Sequence, residues 1–313
     1  MTRVFRGLDA VTRPPRRAVV TVGVFDGVHT AHQRLIRQAV AMAKRLRGTS
    51  VVVTFDPDPS AILDPRRAPP ALMPLEERLV HLRALGPDQV WVLPFSRTFS
   101  RITAGQFIRR FLLERLQAKA LLVGERFVFG RHRRGDTRML RSVGPARGMR
   151  IVPVRQILRH GAAISSSRIR RLIAEGHLSA ARELLGRPPA VYGTVVRGAG
   201  RGRSLGFPTA NLRLVPQALP PAGVYAVTVS TADHRRRWAG AMNLGMRPTF
   251  GPGPLVCEVH LLGFSGTLLG RRVAVALRGR LRAERCFPSV DALRRQVRRD
   301  ILRTRRLCFT RSS

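Results

Sequence analysis

Residues Ala18–Val22 form an unbroken apolar and β-branched run that ends against Gly23, and a second such run, Ser50–Phe55, follows a stretch of helical periodicity. Between them Leu35, Ile36, Ala39, Val40 and Ala43 recur at spacings of three and four, which predicts a helix over His32–Leu46 with one apolar face. Two buried strands joined by a helix pair side by side as a parallel unit, because the crossover carries the chain back to the end at which the first strand began. Val90–Pro94 and Ala120–Val123 repeat the theme. The first half is therefore expected to be a doubly wound α/β domain. A phosphate-binding site would sit at the carboxyl end of its first strand, where the next helix presents its N-terminus.

The pattern changes at Leu184-Leu185-Gly186-Arg187-Pro188-Pro189, which breaks the helical periodicity and marks a domain boundary. Beyond it, short β-rich pieces (190–196, 223–229, 239–244 and 255–262) alternate with turns, as in a small antiparallel barrel. Leu293, Val297 and Ile301 then recur every four residues, predicting a closing amphipathic helix. A chain of 313 residues accommodates two such domains, set here at 1–184 and 185–313.

Lys and Arg number 57 against 18 Asp and Glu, giving a net charge of +39. Such a balance raises the question of nucleic acid. All but Lys44 and Lys119 of these cations are arginines, spread along the whole chain, and no aromatic interleaving suited to base stacking accompanies them. The expectation is no specific nucleic-acid site, with salt-sensitive, non-specific adsorption to RNA. Cys257, Cys286 and Cys308 are odd in number and widely spaced, which suggests neither a disulfide framework nor a zinc site. No stretch approaches the roughly 20 apolar residues of a membrane span, and MTRVFRGLDAV has no apolar leader core. A cytoplasmic protein without membrane association is expected.

Candidate chemistry concentrates in three places. Gly202-Arg203-Ser204-Leu205-Gly206-Phe207-Pro208-Thr209-Ala210-Asn211, preceded by Gly193, Gly198 and Gly200, could let backbone N–H groups approach an anion while Thr209 and Asn211 offer oxygens to a phosphate-bound cation; a generic glycine-rich turn is the alternative. His29 and His32 form an H-x-x-H pair where the first strand, through Gly23-Val24-Phe25-Asp26-Gly27-Val28-His29, hands over to the helix; taken alone, such a pair is read as metal ligands, surface residues or core residues. Ser165, Ser166, Ser167 and Arg168 can cap a helix over 168–174, and a helix N-terminus with spare hydroxyls is itself an anion site.

The decamer at 202–211 resembles the GRxLGFPTAN signature of riboflavin kinases, and the resemblance continues through Asn243–Phe250, Glu258–Leu262 and Leu281-Arg282. Gly23–His29 and Ile164–Arg170 resemble the two ends of an FMN adenylyltransferase domain. Together they cover nearly the whole chain and look like the bacterial bifunctional riboflavin kinase/FAD synthetase family. That resemblance implies a six-stranded flavokinase barrel with a terminal helix, phosphorylation of riboflavin to FMN, and adenylylation of FMN to FAD, with ATP and Mg2+. It implies that Thr209 and Asn211 bind magnesium and ATP phosphates, and that Glu258 accepts the proton of the attacking hydroxyl. Gly198, Gly202, Arg203, Gly206 and Pro208 would lie along the phosphates, and Phe207 and Arg282 would contact flavin. In the first domain it implies that Gly23, Phe25, Asp26 and Gly27 bind nucleotide, that His29 and His32 stabilise charge during adenylyl transfer, and that Ser165–Arg168 hold pyrophosphate.

The chain departs from the family pattern at Val24 for Asn, Ala31 for Gly, Asp58 for His and Arg126 for Asp or Asn, all on loops expected to face nucleotide or flavin. A second reading follows, in which the first domain only binds nucleotide or flavin. In the second domain Gly263, Leu269 and Ala283 replace the usual Asp, Tyr and acidic residue. A third reading, a basic RNA-associated protein on the same scaffold, rests on charge alone.

Overall fold

The computed structural model describes all residues except 8, 199, 201, 203–205, 232–235, 247–254 and 310–313. Packing divides the chain into two compact units, one of residues 1–69 and 75–165, the other of 70–74 and 166–313.

The first unit is built on six parallel strands: β1 (Arg3–Arg6), β2 (Ala18–Val22), β3 (Ser50–Asp56), β4 (Gln89–Pro94), β5 (Ala118–Gly124) and β6 (Arg150–Val154). They lie in the order β1-β4-β3-β2-β5-β6. The continuous apolar runs of β2 and β3 follow from burial on both faces. Helix α1 (Thr30–Arg45) packs on β2, β3 and β5 through Leu35, Ile36, Ala39 and Ala43. On the opposite face, Phe107, Ile108, Phe111 and Leu112 join Trp91, Leu93, Leu121 and Val123 in the main core. Burial of each such side chain stabilises by about 1.5–3 kcal/mol. Helix α2 (Leu75–Arg83) inserts Leu79 and Leu82. The outer strands β1 and β6 were not anticipated. Both carry arginine and have half-exposed patterns typical of sheet edges, without the apolar run that marks a central strand.

Helices α3 (Ser166–Ala174) and α4 (Leu178–Leu185) belong by packing to the second unit, and α4 ends on Gly186 in the left-handed conformation (φ 72°). Strands β7 (Ala190–Val196), β8 (Thr209–Leu214), β9 (Gly223–Thr231), β10 (Arg237–Met246), β11 (Leu255–Leu261) and β12 (Arg272–Arg282) close into an antiparallel barrel in the order β7-β8-β11-β10-β9-β12. Two irregularities in the β9–β12 ladder, near Val224 and Val227, bend the sheet toward closure. Val191, Tyr225, Val227, Met242, Leu244, Cys257, Val259 and Val275 fill the interior.

The closing helix α5 runs Val290–Phe309 and packs on β9, β10 and β12. Its deepest row is polar: Gln296, Asp300 and Thr304 are buried, whereas Leu293, Val297 and Ile301 are half-buried. The reason is charge. Asp300 receives Arg282 Nε at 3.0 Å and Gln296 Nε2 at 2.8 Å, so the helix docks through a paired cation.

Candidate active sites

In the first unit, β3 and β4 lie to one side of β2 and β5 to the other, so the carboxyl ends of β2 and β5 flank the point where strand order reverses. Gly23–His29, largely buried, leave β2 at this point, and the exposed pair Glu125-Arg126 leaves β5 there. The loop is tightly determined. Val24 O accepts from Thr54 Oγ1 (2.9 Å) and Arg78 Nη1 (2.8 Å), while Phe25, Gly27 and Val28 all take positive φ (56°, 76° and 39°). A β-branched residue at φ 39° is a backbone outlier of the kind that persists where surrounding structure enforces it.

His29 caps α1: its Nδ1 accepts the His32 N–H at 3.3 Å. The helix thus starts two residues earlier than the periodicity predicts, because an imidazole takes the place of the usual hydroxyl or carboxylate cap. The two rings stack with centroids 3.5 Å apart, and Phe25 meets His32 edge-on at 5.2 Å. His32 Nδ1 is sealed from solvent with no hydrogen-bond partner. Burial, reinforced by His29, holds the His32 pKa well below the ordinary imidazole value, so the ring is neutral near pH 7. Neutral donors at a helix N-terminus can meet developing phosphate charge without a metal cage.

Arg78 carries no sequence motif. It is 5% exposed, bridges Val24 O to Phe55 O (2.9 Å from Nη2) and lies 3.9 Å from Asp56. Burial lowers its pKa, opposed by Asp26, Asp56 and Asp58. Its planar fork ties the loop after β2 to the end of β3, a geometry a lysine cannot reproduce. The available signal was a cation on the inward face of α2, one helical turn from Leu82.

In the second unit, register makes the site. Thr209 pairs with His260, Asn211 with Glu258, and Glu258 with Asn243, so Asn211, Glu258 and Asn243 form one row across β8, β11 and β10. Cys257, Val259 and Leu261 point inward, which puts Glu258 and His260 on the outer face with Asn211 and Thr209. A Cβ on Gly198 would overlap the Asn211 amide, and one on Gly202 would crowd Thr209 Oγ1, so these glycines let the preceding loop lie on the row. Phe207 N–H donates to Gly202 O (2.8 Å), and the Phe207 ring meets His260 edge-on at 5.8 Å. His260 Nδ1 lies 2.8 Å from Pro208 O. Asn243 Nδ2 donates to Glu284 Oε1 at 3.2 Å. The inward Cys257 thiol, pushed up to about 12 by burial and then by Glu258, stays protonated and has no role as a nucleophile.

An FAD synthetase model matches residues 11–168 and a riboflavin kinase model matches residues 185–308. A bifunctional riboflavin kinase/FMN adenylyltransferase of Escherichia coli (strain K12) is 37% identical over 304 residues, covering 97% of each chain. The chain belongs to the bifunctional riboflavin kinase/FMN adenylyltransferase family. The Haemophilus influenzae relative of the same name is 36% identical over 299 residues, covering 96% of this chain and 97% of the other. A solved structure titled a macrolide-efflux protein from Streptococcus pneumoniae aligns with TM-score 0.84 and 31% identity over 97% of this chain and 98% of that one. Members of this family are transferases that act on riboflavin, FMN and ATP. No helix among the described residues is long and apolar enough to cross a membrane.

Against the family pattern, the departures at Val24 and Asp58 have local explanations. Val24 packs against the core and presents its carbonyl, not its side chain, to Thr54 and Arg78. Asp58 caps the short helix at 59–63, accepting from Ser60 N (2.8 Å) and Ser60 Oγ (2.7 Å). Ala31 sits half-buried in the first turn of α1. Ser165 closes the first unit, while Ser166, Ser167 and Arg168 form the first turn of α3 in the second. Arg282 pairs with Asp300, donates to Ala283 O (3.1 Å) and stands over the Phe287 ring. Arg203 and the tract 247–250 lie outside the described residues.

Proposed function

We propose that residues 185–313 transfer the γ-phosphoryl group of ATP to the riboflavin 5′-hydroxyl, and that residues 1–184 transfer the adenylyl group of a second ATP to FMN. The observation that carries the reading is the cross-strand row Asn211–Glu258–Asn243, which presents one carboxylate between two amides on the outer face of the barrel. Glu258 accepts the hydroxyl proton as the oxygen attacks phosphorus and the bond to ADP breaks. Thr209 and Asn211 are hard oxygen donors suited to magnesium, which gathers most of its ligands from phosphates and water; no cluster of three or more His, Cys, Asp or Glu among the described residues suggests a protein-only cage. Magnesium, when bound, neutralises charge on the transferring phosphate. Gly198, Gly202, Gly206 and Pro208 line the phosphates, with Phe207 and Arg282 on the flavin side.

In adenylyl transfer an FMN phosphate oxygen attacks the α-phosphorus and pyrophosphate departs. His29 and His32 donate hydrogen bonds to the crowded phosphate oxygens, and Gly23, Phe25, Asp26 and Gly27 shape the nucleotide loop. A second reading, a kinase whose first domain only binds nucleotide or flavin, is favoured by Asp58, whose carboxylate is engaged in capping where the family places an imidazole. The chain works in the cytoplasm, and its net charge of +39 gives only salt-sensitive adsorption to RNA. Incubation with riboflavin, ATP and magnesium, resolved by chromatography over time, tests the proposal. FMN followed by FAD is expected; FMN without FAD would establish the second reading.

A further inference from the structure

Among the described residues Glu284 forms no ion pair; its carboxylate accepts from the Asn243 amide. It reaches that amide because β10 leaves room. Gly245 lies two residues beyond Asn243, on the same face of the strand, and a Cβ there would fall inside the Glu284 carboxylate. The seat and the hydrogen bond are independent observations of one placement.

A carboxylate can only accept, so the hydrogen bond fixes which way the Asn243 amide points: NH2 toward Glu284, Oδ1 away from it. Asn243 is also the register partner of Glu258, which pairs on its other side with Asn211. Strands stand about 4.8 Å apart, so the three side chains span about 10 Å with the carboxylate at the centre. In phosphoryl transfer the attacking and leaving oxygens lie roughly in line. If the phosphates occupy the Asn211 side and the reacting hydroxyl meets Glu258, the body of the acceptor extends toward β10. The first fixed polar group it meets there is Asn243.

We propose that Asn243, oriented by Glu284 in the seat left by Gly245, is the acceptor-side contact of the kinase site and binds the hydroxyl-bearing chain of the flavin next to the reacting oxygen. The proposal rests on the roles given above to Glu258, Thr209 and Asn211. Asn243 touches substrate; Glu284 acts through it as a positioning residue.

Steady-state kinetics of riboflavin phosphorylation, with lumiflavin as a competitive inhibitor, test this. Lumiflavin carries the ring system without the hydroxylated chain. Asn243→Ala should raise the riboflavin KM about tenfold, the loss expected for one oriented hydrogen bond, with ATP KM within about twofold and lumiflavin inhibition unchanged. Glu284→Ala should shift riboflavin KM the same way, and Glu284→Gln, whose Oε1 still accepts from Asn243, should restore most of it. Gly245→Ala, which evicts the carboxylate without altering either partner, should reproduce the Glu284→Ala shift and carries the test if that variant fails to fold. The proposal is overturned if ATP KM moves instead, if lumiflavin inhibition weakens in parallel, or if riboflavin KM is unchanged in Asn243→Ala. Glu258→Gln separates this from failure of the underlying site: retained turnover there would remove the site reading itself, whatever Asn243 does.

Discussion

The two sites are made by opposite means. In the first unit a seven-residue loop at the end of β2 is forced into three left-handed residues and held by the fork of one buried arginine, with two stacked imidazoles packed beneath it. In the second, functional groups simply occupy alternate positions on paired strands, and register brings Asn211, Glu258 and Asn243 abreast. A loop site depends on many contacts at once and fails when one anchor is lost. A strand-row site inherits its geometry from the barrel ladder, so single substitutions there should remove chemistry while sparing the fold.

The sharpest way to break this comparison is at the row itself. Glu258→Gln keeps the shape and removes the charge, and should lower riboflavin phosphorylation by about a hundredfold or more while leaving thermal unfolding and FAD formation from supplied FMN unchanged. A fall in FAD formation of similar size would show that the two sites are not separable.

At the loop the expected loss runs through stability. Arg78→Lys retains charge but cannot bridge Val24 O and Phe55 O together, leaving a buried carbonyl without one of its donors. A cost of about 2 kcal/mol to the first unit is expected, with FAD formation impaired and riboflavin phosphorylation retained. Unchanged chemical denaturation would mean that Thr54 alone suffices to hold the loop.

Gly198→Ala sharpens the contrast from the other direction, because one part of the barrel site that depends on a loop is the segment lying on Asn211. Its new Cβ would displace the Asn211 amide, and about a tenfold loss of kinase activity, expressed mainly in the ATP KM, is expected. Activity equal to the unaltered protein would place that segment away from the nucleotide.

How legible each region was follows from the same difference. The central strands announce themselves because burial on both faces demands unbroken Val and Ile, as at Val51-Val52-Val53; the edge strands β1 and β6, with arginine and half-exposed faces, carry no such mark. The closing helix was legible in extent but not in orientation, since its buried row is Gln296, Asp300 and Thr304, set by pairing to Arg282 rather than by hydrophobicity. Thr209 and Asn211 stand out within the glycine-rich tract, with a generic turn as the alternative, whereas Glu258 could be singled out only through a family motif; alternation alone places it on a wet face like any other strand carboxylate. Arg78 was hidden because its partners are backbone carbonyls 54 and 23 residues away, and Asn243–Glu284 because 41 residues separate them.

The smallest expected effect lies beneath the loop and concerns protons. His32 has its pKa lowered by burial and then by His29, so the folded protein disfavours the imidazolium that the unfolded chain readily forms. The unfolded chain therefore binds more protons below about pH 6.5, the ordinary imidazole value. The stabilisation is fully present above that pH and is lost as pH falls through it toward the depressed folded value, at a rate of up to about 1.4 kcal/mol per pH unit for one group. Unfolding of the first unit followed from pH 7.5 to 5 should show this slope, and His32→Gln should flatten it while leaving the second unit's unfolding untouched. If the variant keeps the full slope, the imidazole protonates freely in place, and the loop site is as open to water as the barrel row.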